Sequence, residues 1–150
     1  MACYCKNISI ETIKMLLENK SFANVETEAG NTPLHIAVKN ISDKEIIKIL
    51  IESKSNIFDC DKNGDTPFHL CLKKVDPSFE LIELFVEKKC EINCKNKEKN
   101  TPFHYACRNQ NSSFQIINFM LENKSDPNLK NKENWFPLFF FFFFFLNFFF

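Results

Sequence analysis

The sequence predicts an all-α solenoid of helix–turn–helix units joined by extended β-turn loops, and three observations carry that prediction. First, a tetrapeptide recurs as Thr32-Pro33-Leu34-His35, Thr66-Pro67-Phe68-His69 and Thr101-Pro102-Phe103-His104, at spacings of 34 and 35 residues, with a weaker echo at Phe136-Pro137-Leu138-Phe139. Second, an apolar run ending in glutamate recurs in step with it, closing at Glu18, Glu52, Glu87 and Glu122. Third, the chain contains only 2 glycines in 150 residues, so helices must carry most of the fold and other residues must make the turns. A period of this length means stacked supersecondary units, each burying its apolar faces against its neighbours.

Each Thr-Pro pair opens a short first helix. The threonine hydroxyl can cap an orphan backbone N–H, and proline at the first helical position gives up an N–H that had no partner there. The helices continue through Leu34–Val38, Phe68–Leu72 and Phe103–Cys107, with small Ala37, Cys71 and Ala106 at one matching position where two helices come close. A polar turn follows. Ser42-Asp43-Lys44-Glu45 reads as a capping box for the second helix, and Asp76-Pro77 is expected to do the same in the next unit, with Pro77 at the first helical position. The second helices are the apolar runs, apolar on most sides, which suits a helix sandwiched between neighbours. The chain then runs extended and polar to the next Thr-Pro pair, through the turn Asp61-Lys62-Asn63-Gly64-Asp65 in the middle unit.

Thr32-Pro33-Leu34-His35-Ile36-Ala37 resembles the signature of the ankyrin repeat, a unit of about 33 residues. The turn Asp61-Lys62-Asn63-Gly64 and the stretch Ser125-Asp126-Pro127-Asn128 resemble other parts of that unit. The resemblance covers residues 2 to about 138 and implies an array over 1–138, divided as 1–26 (partial), 27–60, 61–95, 96–130 and 131–138 (partial). The extra one or two residues per unit fall in the turn between helices. Where the family usually has a glycine after the second helix, this chain has Lys20, Lys54, Lys89 and Lys124. A non-glycine in the left-handed conformation needed there costs on the order of 1 kcal/mol.

Composition narrows the function. The 19 basic and 19 acidic residues balance, and Arg108 is the one arginine, so neither a net field nor arginine forks favour nucleic acid. The lysine-rich connectors at Lys95–Lys99 and Lys130–Glu133 mix both signs and read as solvated turns. The 7 cysteines, with no secretory signal at the N-terminus, read as reduced thiols and point to a cytoplasmic protein, with the nucleus also open. No paired CxxC spacing, glycine-rich phosphate loop or catalytic triad stands outside the repeat pattern, so no cofactor, metal or catalytic residue is expected. The resemblance gives the three histidines a local structural role, bonded to threonine and neighbouring backbone.

The expected function is a non-enzymatic module that binds another protein through turn tips and the exposed side of each first helix. The resemblance places that surface at Glu28, Ala29, Asn31, Lys39 and Asn40, then Lys62, Asn63, Asp65, Lys73 and Lys74, then Lys97, Glu98, Asn100, Arg108 and Asn109. This stripe is mildly basic and poor in aromatic anchors, which implies a partner with an acidic surface and no Trp or Tyr hot spot. The alternative is a fragment of a larger multidomain protein whose activity lies elsewhere. The alignment starts the chain inside a first helix and leaves a fifth unit incomplete, which fits that alternative.

Residues 139–150 form a phenylalanine-rich low-complexity tail. As a membrane anchor, the apolar run from Leu138 is short against about 20 residues for a spanning helix, and Asn147 interrupts it. The favoured reading is a translated T-rich tract, in keeping with the abundance of Lys, Asn, Ile and Phe. A run of this kind is uncharged and free of proline, so nonspecific self-association through it is expected.

Overall fold

A computed structural model of the chain describes residues 25–40, 44–53 and 55–139. Among these, six helices follow in order: α1 Pro33–Asn40, α2 Lys44–Glu52, α3 Pro67–Lys73, α4 Phe79–Glu87, α5 Pro102–Arg108 and α6 Phe114–Glu122. A further helical turn covers 137–139, and none of the described residues is in a strand. The all-α expectation is met. The expected helix ending at Glu18, the left-handed positions Lys20 and Lys54, the Ser42-Asp43 half of the capping box, Cys3, Cys5 and the tail beyond Phe139 lie outside the described residues.

First helices stack on first helices, α1 on α3 and α3 on α5, while each packs against the second helix of its own unit. The residue after each proline is the deepest point: Leu34, Phe68 and Phe103 are fully buried. Ala37, Cys71 and Ala106 are buried beside them, so the small-residue position does lie inside the stack. From the second helices, Ile47, Ile82 and Ile117 enter the core, joined by Leu50, Phe85 and Met120. The rings of Phe68 and Phe85 meet at 5.5 Å between centroids. Cys107 is also buried, and Cys90 is half-buried.

The start of the middle unit's second helix departs from the sequence reading. Ser78 is the cap and α4 begins at Phe79, so Pro77 does not occupy the first helical position. Pro77 is instead buried just before the cap, where an apolar residue sets the entry angle of the chain. In the next unit Ser113 is the cap, and its Oγ accepts the Ile116 N–H at 3.3 Å, a side-chain bond that Ser78 does not make.

The loops between units are all built alike. The N–H groups of Thr27, Asp61, Asn96 and Asn131 donate to the carbonyls four residues on, at Asn31, Asp65, Asn100 and Trp135. Inside three of these turns the leading side chain accepts two backbone N–H groups. Asp61 Oδ1 takes Asn63 and Asp65, Asn96 Oδ1 takes Glu98 and Asn100, and Asn131 Oδ1 takes Glu133 and Trp135. Successive tips are then linked by Lys62 N–H to the Ala29 carbonyl, Lys97 to Asn63 and Lys132 to Glu98, all within 3.0 Å. The left-handed residue of each turn is Gly30, Gly64, Lys99 or Asn134. At Gly64 a side chain would also collide with the next tip, since an added Cβ would lie 2.8 Å from Lys97 N.

The ends of the second helices confirm the reading of the lysines. Lys89 and Lys124 have φ of 60° and 69°. Cys90 N–H reaches back to the Phe85 carbonyl and Lys89 N–H to Val86, and Ser125 and Lys124 repeat the pair with Met120 and Leu121. This is the Schellman ending, which glycine fits best. Replacing either lysine, as in K89G or K124G, is therefore expected to raise stability by about 0.5–1 kcal/mol in urea denaturation. A loss of stability in both variants would contradict the assignment of strain to these positions.

Candidate partner-binding surface

The three histidines are held in one arrangement. His35 Nδ1 lies 3.1 Å from the Thr32 backbone N and 2.8 Å from Thr32 Oγ1. His69 and His104 repeat this with Thr66 and Thr101. A backbone N–H can only donate, so Nδ1 must be the bare, accepting nitrogen. The proton then sits on Nε2, which donates across the joint to the last carbonyl of the next loop. The acceptors are Asp65 at 3.1 Å, Asn100 at 3.1 Å and Trp135 at 3.2 Å. Each histidine is thus a neutral staple between two units, buried at 2% exposure or less.

This arrangement engages both ring nitrogens of each histidine within the fold. Burial pushes all three histidines below their ordinary range, and the bonds to backbone carbonyls only partly oppose it. Cys94 Sγ approaches His69 Nδ1 at 3.8 Å, the one place where a thiol meets an imidazole among the described residues. A nucleophilic pair would need that nitrogen free to take the thiol proton, but the Thr66 N–H fills it. Burial also pushes the Cys94 thiol up to about 11, and Cys71 and Cys90 up to about 12. Among the described residues, no three His, Cys, Asp or Glu side chains gather into a metal-binding group.

The polar residues assigned to the surface fall into three groups. Glu28, Lys39, Asn40, Lys62, Asn63, Lys73, Lys97, Glu98 and Arg108 are exposed. Asn31, Lys74, Asn100 and Asn109 are half-buried, and two of these use their side chains internally: Asn100 Oδ1 accepts from Asn131, and Asn109 Nδ2 donates to the Lys74 carbonyl. Asp65 is different, because it is buried. Asn96 Nδ2 donates to its Oδ1 at 2.6 Å, Lys73 Nζ stands 3.4 Å from its Oδ2, and the Tyr105 hydroxyl donates at 3.5 Å. A turn residue that looks available to a partner is in fact occupied by two neighbouring elements.

The period, the stapled Thr-Pro-x-His joints and the stacked tips coincide with two family models. One, described as ankyrin repeats (3 copies), matches residues 1–96, and another, described as ankyrin repeats (many copies), matches residues 86–138. The chain belongs to the ankyrin-repeat family. Ankyrin repeats are generally protein–protein interaction modules. No match is found among the curated proteins compared with this ankyrin-repeat chain.

On the ankyrin surface the structure brings together Lys39, Asn63, Asp65, Lys73 and Lys74 along one depression, and Lys73, Lys74, Arg108 and Asn109 along a second. It also adds two residues that the sequence reading missed. Tyr105 lines the second depression, half-buried, with Lys73 Nζ 5.1 Å from its ring centroid, so the surface does contain an aromatic side chain. Val75 lines both depressions. Signals for each existed in the sequence: Tyr105 stands where the earlier units have Ile36 and Leu70, and Val75 is an isolated apolar residue in a polar connection. No helix among the described residues is long and apolar enough to cross a membrane.

Proposed function

We propose that this ankyrin-repeat chain is a non-enzymatic binding scaffold whose working face is the basic row at the ends of its first helices, and that its partner is a protein with an acidic surface. The observation that carries this reading is the alignment of Lys39, Lys73 and Arg108, each exposed in the last turn of a successive first helix. Every described histidine, by contrast, is committed to joining units. The described cysteines are unpaired, which supports a reducing, cytoplasmic setting.

Charge reversal tests this, with one adjustment forced by the geometry. The sequence alone suggests reversing Lys73, Lys74 and Arg108 together. Lys73 lies against buried Asp65, however, and a glutamate there would set two carboxylates side by side. The cleaner variant is K39E/K74E/R108E. Proteins retained from a cell lysate by the immobilised chain are expected to fall by about tenfold in the variant, since rim charges act on association rate and salt dependence. Its circular dichroism and melting should match the wild type. Undiminished retention would move the interface to another face.

A further inference from the structure

The turn tips share a backbone but differ in their chemistry. Their third and fourth residues are Ala29-Gly30, Asn63-Gly64, Glu98-Lys99 and Glu133-Asn134, and the second member of each pair is left-handed. Asn63 is the one asparagine in the chain that is followed by glycine. Glycine puts no side chain in the way when its main-chain nitrogen turns toward the preceding side-chain amide. Asn63 is also exposed, so water has access to whatever forms there.

The folded turn blocks that approach. Gly64 N–H donates to the Asp61 carbonyl at 2.8 Å, and Asn63 N–H donates to Asp61 Oδ1 at 2.8 Å. Asn63 Nδ2 lies 3.4 Å from Asp61 Oδ2. One residue thus holds both the nucleophile and the amide that it would attack. The turn must open before they meet, and local opening of a loop takes less free energy than unfolding the array.

Asn63 also carries a joint between units. Its carbonyl accepts the Lys97 N–H at 2.9 Å, which links this tip to the next. The fit has no slack, since a Cβ added at Gly64 would lie 2.8 Å from Lys97 N and 3.2 Å from Asn96 Cα.

We propose that Asn63 is a site of spontaneous deamidation, kept closed by the Asp61 turn, and that its isoaspartate product breaks the joint to Lys97. The Gly64 nitrogen attacks Asn63 Cγ. A C–N bond forms, the Cγ–Nδ2 bond breaks, and the side-chain nitrogen leaves as ammonia with the proton from Gly64. Water then opens the cyclic imide at one of two bonds. Cleavage between Gly64 N and Cγ gives aspartate on an unchanged main chain. Cleavage between Gly64 N and the Asn63 main-chain carbonyl gives isoaspartate. The chain then runs through the former side chain, one methylene longer, and the carbonyl that accepted from Lys97 has become a carboxylate. This chemistry is independent of the binding role proposed above.

The test is ageing of the full chain at mildly alkaline pH, both native and in guanidinium chloride. Peptide mapping by mass spectrometry locates isoaspartate, and amide hydrogen exchange of the native samples reads the Lys97 N–H. In denaturant, isoaspartate is expected at residue 63 ahead of every other asparagine. The native chain should form it about tenfold or more slowly, because only the opened turn reacts. Exchange at Lys97 should quicken as isoaspartate accumulates, and repair by a protein isoaspartate methyltransferase should restore its protection. Ageing should leave Lys97 unchanged in N63Q, and N63D, the other product, should keep the joint. Absence of isoaspartate from residue 63 would overturn the site, and equal native and denatured rates would overturn the closing role of Asp61. Lys97 protection indifferent to isoaspartate would overturn the broken joint. Protection lost in N63D would assign the effect to charge and overturn the part given to the longer main chain.

Discussion

His69→Ala is expected to lower stability by about 2–3 kcal/mol, beyond the loss of one ordinary hydrogen bond. The ring touches three polar groups that no solvent reaches easily: the Thr66 N–H at 3.1 Å, the Thr66 hydroxyl at 2.9 Å and the Asn100 carbonyl at 3.1 Å. Alanine strands the Thr66 N–H, and an unsatisfied buried group costs about 1–3 kcal/mol. The Asn100 carbonyl keeps the Asn96 N–H and Thr66 Oγ1 keeps the residue-69 N–H, but each loses one bond. The damage also crosses a joint, because Thr66 opens α3 while Asn100 closes the loop before α5. Urea denaturation followed by circular dichroism checks this. A loss near 1 kcal/mol would mean that water replaces the ring and that the staple contributes little. Zinc or a chelator should leave the melting temperature of the wild type unchanged.

Acid should unfold the array in a window set by the same residues. Burial lowers the folded-state pKa of His35, His69 and His104 below the ordinary 6.5. Between the folded and unfolded values, the unfolded chain binds protons that the folded chain refuses, so falling pH favours unfolding. The stabilisation is therefore complete above the unfolded value and is lost as pH falls through the folded values. Each histidine contributes about 1.4 kcal/mol per pH unit, so three acting together approach 4 kcal/mol per unit. Geometry gives the same sign, since a proton on Nδ1 would face the Thr N–H donor. Denaturation midpoints measured from pH 7.5 to 5 should fall steeply below 6.5, and H69A should flatten the slope by about a third. A midpoint that stays constant over this range would contradict the neutral, buried state of the rings.

Much of this fold is legible in the sequence because the repeat displays each device several times. Thr-Pro-x-His marked the first helices, and Asp61 marked a turn that Asn96 and Asn131 reproduce with the same carbonyl-type oxygen. The left-handed role of Lys89 and Lys124 followed from their register with the glycine usual in ankyrin repeats. The inter-unit half of each staple was not legible. Its acceptor is a main-chain carbonyl, so Asp65, Asn100 and Trp135 share the task without sharing a side chain. The start of α4 was missed because Asp76 and Ser78 offer competing caps on either side of Pro77, which is buried before the cap. At the surface, the basic row could be read from spacing. The burial of Asp65 could not, since it depends on Asn96 and Tyr105 arriving from the next unit.

If the histidines join units, both ring nitrogens of each imidazole are engaged within the fold. Two-bond ¹H–¹⁵N correlation spectra of the labelled protein at neutral pH read that point directly, because they separate the two neutral tautomers and the protonated ring. His35, His69 and His104 should each appear as the neutral Nε2–H tautomer, unchanged by added zinc. A protonated ring, an Nδ1–H tautomer or a zinc-dependent shift at any of the three would contradict the account.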